Sequence, residues 1–357
     1  MNVMYLCNFD INGYSGKNRA TRQKLNALKK QVNNLIIISS QIKRMKFLEL
    51  FFLEIKAIYM ILKYRPDLFI SRGFVGYLPQ KLCKLLRIST VREVHADIIG
   101  EIQQTNKNWL TKKLVIPLCM YSQKTDISAD MRIFNHPDLL NWFKSTFFDS
   151  KYDIFVYNGF NINSKSELSK EEARKKYGLK NNIKYLVFTG SSSYWHGVDY
   201  LVNLQKNLNK INSNIKIICG GGIISKKDDP DGVLINLTPL DDIGCSELIQ
   251  ASDACLLPVR QSRVSPGSPL KLYDYILHEK YVITQKNVNG YDDEVKLYGF
   301  GSAVEFNDSI QTSSLINDIL ANLDTNSKVK INSFSWDKRI HTWLNGIFLL
   351  KNNIDKR

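Results

Sequence analysis

The stretch Val3-Met4-Tyr5-Leu6-Cys7-Asn8-Phe9-Asp10-Ile11-Asn12-Gly13-Tyr14-Ser15-Gly16-Lys17 passes from a short apolar run, through a glycine-bearing turn, into a helical pattern that begins near Lys17. Strand, glycine turn and helix in that order open a doubly wound α/β domain. The alternation recurs downstream. Asn34 to Ser39 reads as a second buried strand, followed by a long helix through Leu62. Further strands are predicted at 66–71, 90–93, 126–128 and 154–157, with a helix around 77–86. After Asn158-Gly159 the chain turns polar over 161–182, and a second series of strands starts at 185–189, 215–219, 233–236, 254–258 and 281–285. A helix is expected over 335–350. The 357 residues are too many for one ordinary core. The expected architecture is therefore α/β with two Rossmann-like domains facing a cleft. Residues 1–160 form the first domain and 161–335 the second, while 336–357 form a C-terminal helix that packs back toward the first. Ligands of such sheets bind beyond the carboxyl ends of the strands.

Forty-nine Lys and Arg against 34 Asp and Glu give a net charge of +15. Such a field favours phosphate esters, nucleic acid or an acidic membrane surface. The basic residues are dispersed and no Arg/Lys–aromatic array occurs, so nucleic acid is not an expected partner. Cysteines 7, 83, 119, 219, 245 and 255 make no C-x-x-C pair and have no histidine cluster beside them, which argues against zinc and against a disulfide framework. The start lacks a basic region followed by a long apolar one, so no secretory signal is expected and the cytoplasm is the expected compartment. The helix over 46–63 carries Glu49, Lys56 and Lys63 on one face and is otherwise broadly apolar. It reads either as a core helix with one solvated stripe or as a surface touching an anionic membrane.

The richest segment for chemistry runs Leu257-Pro258-Val259-Arg260-Gln261-Ser262-Arg263-Val264-Ser265-Pro266-Gly267-Ser268-Pro269-Leu270-Lys271-Leu272-Tyr273-Asp274-Tyr275. A strand ends, a polar loop with two arginines follows, and a helix starts near Pro269 with Ser268 as the expected N-cap. The helix start at Ser268, Pro269 and Leu270, with the free N–H groups of its first turn and the helix dipole, suits an anion. Arg260, Arg263 and Lys271 add charge, and Asp274, about a turn on, suits vicinal hydroxyls. A plainly capped helix with solvated charges fits the same local pattern.

The run Ser268 to Ile283 resembles the donor-site helix of GT-B glycosyltransferases of family 4. Asp274 stands where that family has its ribose-binding glutamate, and Pro266 stands where it has the first glutamate of the pair. The loop Phe188-Thr189-Gly190-Ser191-Ser192-Ser193-Tyr194-Trp195-His196-Gly197 resembles the family's diphosphate loop, with Ser191 and His196 in place of an arginine and a lysine. Ser252 to Pro258, Asn158 to Asn161 and Phe334 to Asp337 resemble further family segments, so the likeness spans nearly the whole chain. Gly16 resembles the glycine that lets backbone approach the donor phosphate, or is a plain turn residue. His95, in Arg92-Glu93-Val94-His95-Ala96-Asp97, resembles the histidine near the donor sugar.

The resemblance implies a retaining glycosyltransferase that uses a nucleotide-sugar donor without a required metal or other cofactor. The acceptor would be a glycan or a lipid-linked molecule in bacterial surface polysaccharide synthesis, met on the inner face of the plasma membrane. With the family cations replaced, Lys271, with Arg260 or Arg263, is expected to meet the diphosphate. His196 either donates a hydrogen bond there or braces its loop. Glu93, Asp97 and Arg72 are expected on the acceptor side. Rival readings are a non-hydrolysing nucleotide-sugar epimerase, a basic nucleic-acid-binding protein and a catalytically inactive relative acting as a partner.

Overall fold

The computed structural model describes residues 1–354 apart from 14, 41–46, 105–107, 262–266, 289 and 324–330. The chain forms two compact units. The first comprises Met1–Gly159, Val264–Gly267 and Trp336–Arg357, and the second Phe160–Arg263 and Ser268–Ser335.

The first unit runs β1 (Asn2–Cys7), α1 (Gly16–Lys29), β2 (Asn34–Ser39), α2 (Phe47–Tyr64), β3 (Leu68–Arg72), α3 (Tyr77–Leu85), β4 (Ser89–Val94), α4 (Ile98–Gln104), α5 (Trp109–Ser128), β5 (Met131–Phe134), α6 (Pro137–Thr146) and β6 (Ile154–Phe155). Its strands are all parallel in the order β2-β1-β3-β4-β5-β6. Val3 to Cys7 are fully buried, as expected of a parallel strand covered on both faces, which is why β1 reads as an unbroken apolar run. On one face Met4, Leu6 and Phe69 pack under Leu50, Leu53, Ala57 and Ile61 of α2 and Cys83 of α3, with Leu118 of α5 against the same cluster.

The second unit runs α7 (Lys170–Lys176), β7 (Lys184–Thr189), α8 (Val198–Ile211), β8 (Ile215–Gly220), β9 (Ile235–Asn236), α9 (Asp242–Ala251), β10 (Ala254–Leu257), α10 (Leu270–Leu277), β11 (Tyr281–Gln285), α11 (Asp292–Tyr298), β12 (Gly301–Val304) and α12 (Ser309–Ala321). Its parallel sheet has the order β12-β11-β10-β7-β8-β9, the nucleotide-binding order in which direction reverses between β7 and β10. The chain then returns to the first unit as α13 (Trp336–Ile354), which packs on α1, β4 and β5 and buries Ile340, Trp343, Leu344 and Ile347.

One expected strand is wrong. Residues 126–128 are the last turn of α5, and the strand comes just after, at Met131–Phe134. Asp126 is buried because it pairs with the Arg92 guanidinium at 2.7 Å, not because it lies in a sheet.

Candidate functional site

Each sheet has one point where successive crossovers leave in opposite directions, and both bring chemically active side chains to strand ends. In the second unit that point lies between β7 and β10. Tyr275 of α10 fastens the helix over it. Its hydroxyl accepts from the Thr189 amide at 3.1 Å and donates to the Leu256 carbonyl at 3.2 Å. This seating sets the Lys271 ammonium 4.6 Å from the centre of the Phe188 ring. It also lies directly above Gly190, where a Cβ would stand 2.9 Å from Nζ and 2.6 Å from the Phe188 ring. Residue 190 is glycine because Lys271 and Phe188 occupy the space of a side chain.

Behind Gly190 runs a second glycine stretch, Gly220-Gly221-Gly222. The Gly190 amide donates to the Gly220 carbonyl at 2.8 Å, Gly221 has φ +91°, and a Cβ on Gly222 would meet that of Ser191 at 2.6 Å. Two backbone segments thus pass in near contact at the end of β7, beside a lysine and the start of α10. Amides and a cation in this arrangement suit a phosphate. The glycine run was readable after the apolar strand 215–219, yet its role depends on a close approach that no local pattern announces.

Several expected residues are placed differently. Ser268 is not the N-cap. Pro269 takes that position at φ −71°, ψ 125°, without a side-chain cap, and Leu270 is the first helical residue. The Ser268 hydroxyl is buried against that of Tyr273, which in turn donates to Glu294. Asp274 lies one turn along α10 from Leu270, and its carbonyl accepts from His278 Nδ1 at 2.8 Å. Arg260 is tied to the Trp-His-Gly loop. Its guanidinium donates to the Tyr194 carbonyl at 2.8 Å and Asp199 at 2.7 Å, and lies over the Tyr194 and Tyr200 rings. Asp199 thus competes with any bound anion for that charge. His196 braces the same loop, with Nδ1 donating to the Ser191 carbonyl at 2.7 Å and the ring edge-on to Phe188. Gly197, at φ +57°, makes the left-handed link into α8. Arg263 lies outside the described residues.

In the first unit the direction reverses between β1 and β3, and a charged cluster fills their carboxyl ends. Glu93, at the end of β4, is buried with Lys24 of α1 as its ion-pair partner. Arg72 lies 3.7 Å away and also donates to Thr21 Oγ1 at 2.8 Å. His95 Nε2 lies 3.0 Å from Glu93 Oε2. Among the described residues Glu93 Oε1 has no hydrogen-bond partner. Lys17 and Arg72 approach the Phe9 ring at 4.1 and 5.3 Å. Lys24 also lies over the Trp343 ring of α13, at 4.8 Å. Gly16 opens α1 behind the Ser15 cap, which accepts from the Asn18 amide. Asp97 does not join the cluster through any of these contacts. Its carboxylate accepts from the Gly100 amide at 3.0 Å and so caps α4.

The electrostatics follow from burial and neighbours. Burial opposes the Glu93 charge, but Lys24, the His95 hydrogen bond and Arg72 together reverse that and hold the carboxyl far below its usual range. Burial, with Arg72 close by, pushes His95 down to about 3. At neutral pH the ring is therefore uncharged, with Nε2–H donating to Glu93 and Nδ1 left as an acceptor. Burial also lowers Lys24 to about 8. Lys17, Thr21 and Lys24 share a face of α1 at i, i+4 and i+7, a spacing that was readable, although nothing local marks Lys24 as buried.

A pH dependence follows. His95 takes up its proton near 6.5 when unfolded and near 3 when folded. As pH falls through that window the unfolded chain binds a proton the native chain does not, so stability declines, by at most about 1.4 kcal/mol per pH unit for one such group. Glu93, also depressed on folding, adds to the decline below its unfolded value of 4.5. His95→Gln is expected to flatten the loss between pH 6.5 and 5, read as the urea midpoint at each pH.

Among the described residues no group of three or more His, Cys, Asp or Glu is placed to hold a metal, and no helix is long and apolar enough to cross a membrane. No family model matches the sequence, and no curated protein matches it. Solved structures do match its fold. Sucrose-phosphate synthase from Thermosynechococcus elongatus superposes with a TM-score of 0.71 at 14% identity, over 100% of this chain and 99% of that one. WaaG, a glycosyltransferase involved in lipopolysaccharide biosynthesis, gives 0.67 at 14%, over 99% of each chain. A UDP-N-acetylglucosamine 2-epimerase gives 0.62 at 12%, over 99% and 96%. With two parallel six-stranded Rossmann-like sheets and full-length likeness to these proteins, the chain has the GT-B fold.

Proposed function

We propose that this chain is a retaining glycosyltransferase that moves a sugar from a nucleotide-sugar donor to a glycan or lipid-linked acceptor in surface polysaccharide synthesis. The observation that carries the reading is the Lys271 ammonium held over Gly190 at the switch point of a nucleotide-order sheet. There it would meet the diphosphate as the glycosidic bond breaks and negative charge gathers on the leaving oxygen. The start of α10 at Pro269 and Leu270 adds its dipole, and Asp274 would accept from the ribose hydroxyls. Arg263 remains a second candidate cation. Ser191 and His196 shape the loop around the phosphates, and Ser268 and Arg260 hold its surroundings in place.

In the first unit Gly16 stands at the start of α1, where a glycine would let backbone approach a phosphate. His95 presents Nδ1 as an acceptor, and the unpartnered Glu93 oxygen can take a sugar or acceptor hydroxyl. Arg72 would hold the acceptor side of that cluster, and Asp97, which accepts from the Gly100 amide at the start of α4, would orient the acceptor with Glu93. The phosphate oxygen that leaves takes the acceptor proton, so no enzyme base is required, and Lys271 with the helix dipole would take the place of a metal at the diphosphate. The likeness to an epimerase supports a second reading, in which donor is converted without an acceptor. It needs a carboxylate or other base placed for proton abstraction, and Glu93 is held as an anion by Lys24 and Arg72.

A thermal-shift screen of nucleoside diphosphates tests the donor site. At 100 times its Kd a true ligand adds about 2.7 kcal/mol to stability, a rise of several degrees. Product analysis with and without acceptors then separates transfer from epimerisation. If no nucleotide raises the melting temperature, the donor-site reading fails.

A further inference from the structure

Helix α2 is apolar on two sides. Leu50, Leu53, Ala57 and Ile61 form the buried stripe. At about 100° per residue, Leu48, Phe51, Phe52, Ile55, Tyr59 and Leu62 form a second stripe on roughly the opposite side. That stripe is exposed: Phe51 by 56%, Phe52 by 64% and Leu48 by 71%. A helix that only closes a core needs one such stripe. The exposed apolar side chains continue onto the neighbouring helices of the same sheet face, with Leu78 and Leu85 on α3 and Trp109, Leu114 and Met120 on α5.

The exposed charges on these three helices have one sign. Lys56, Lys63, Lys81, Lys84, Lys113 and Lys124 are exposed on the three helices. Their acids are withdrawn: Glu54 is buried and accepts from the Gly76 and Leu78 amides, Asp126 pairs with Arg92, and Glu49 accepts from Ser40. Several of the lysines lie beside aromatic rings, Lys63 at Tyr59 and Tyr64, Lys81 at Tyr77 and Lys113 at Trp109. Apolar and aromatic side chains interleaved with lysines, with no exposed carboxylate on these helices, match the boundary of a bilayer whose headgroups are negative.

We infer that the α2–α3–α5 face is a docking surface for an anionic phospholipid bilayer. The Phe51–Phe52 edge enters the headgroup boundary and the lysines meet lipid phosphates. The inference rests on the proposed function only for its purpose, which is to hold the enzyme where a lipid-linked acceptor resides. It can succeed or fail independently of nucleotide binding.

The test is co-sedimentation of the full chain with vesicles of phosphatidylcholine, alone or with about one third phosphatidylglycerol. Binding to the anionic vesicles that weakens with salt is expected, with little binding to the neutral ones. Lys56→Glu with Lys63→Glu should weaken it about 25-fold or more, at roughly fivefold per lost lysine. Phe51→Ser with Phe52→Ser should weaken it about tenfold or more. Leu297→Ser with Ile310→Ser, equally exposed in the second unit, should leave it unchanged. The shift of the Phe51/Phe52 variant by UDP should equal that of wild type, whatever its size, which keeps this outcome separate from the donor-site test. Equal binding to neutral vesicles, no loss in the lysine or phenylalanine variants, or equal loss in the Leu297/Ile310 variant would overturn the inference. So would light scattering that shows a wild-type dimer converted to monomer by the phenylalanine changes, because the occupant would then be a second copy.

Discussion

Lys271→Ala is expected to lower turnover about 10²- to 10³-fold while leaving the melting temperature close to that of wild type. Withdrawing one preorganised donor from a developing oxyanion costs about 2.7–4 kcal/mol in transition-state stabilisation. The loop from Ser191 to Gly197 carries no lysine or arginine, so the charge beside Gly190 is expected to come chiefly from Lys271. Lys271 is only partly buried, and the Tyr275 hydrogen bonds to Thr189 and Leu256 hold α10 without it. Arginine should be a poor substitute, because the larger planar head must fit over Gly190 and beside Phe188. Initial rates with a saturating donor, together with calorimetric titration of the nucleoside diphosphate, give the comparison. Wild-type turnover in Lys271→Ala would remove this residue from the mechanism.

Lys24→Met is expected to have the largest effect on stability, about 3–5 kcal/mol, because it leaves the buried Glu93 carboxylate without its main partner. Arg72 at 3.7 Å and the neutral His95 compensate only in part. Lys24→Met with Glu93→Leu should recover most of the loss, because the pair contributes far less than one orphaned charge costs. That double variant should remain inactive if Glu93 serves the acceptor. Urea unfolding of the three proteins at pH 7 separates these outcomes. A Lys24→Met midpoint equal to wild type would mean that Glu93 does not rely on Lys24.

Most strands were legible because parallel strands covered on both faces must be continuously apolar, as in Val3 to Cys7 and Tyr185 to Phe188. The strand Met131–Phe134 was hidden by Arg132, whose charge breaks the run and is met by Asp153, 21 residues on. Gly301–Val304 has too few apolar residues to read as a strand, and it forms by pairing with β11. The placement of the candidate residues was legible where local order decides it, as for Lys271 and Asp274 in the first turns of a helix. It was not legible where a distant partner decides, as for Arg260 with Asp199 and Lys24 with Glu93.

The return of α13 to the first unit has a consequence for how the protein is made. Synthesis is vectorial, and the ribosome releases β1 to β6 long before Trp336 to Ile354 exist. Until then β4 and β5 lack the helix that covers them, and the Lys24 ammonium lacks the Trp343 ring. The second unit is contiguous but for Val264–Gly267 and can close on itself during translation. The first must wait, with part of its apolar interior open, for Trp336 to Ile354 to emerge.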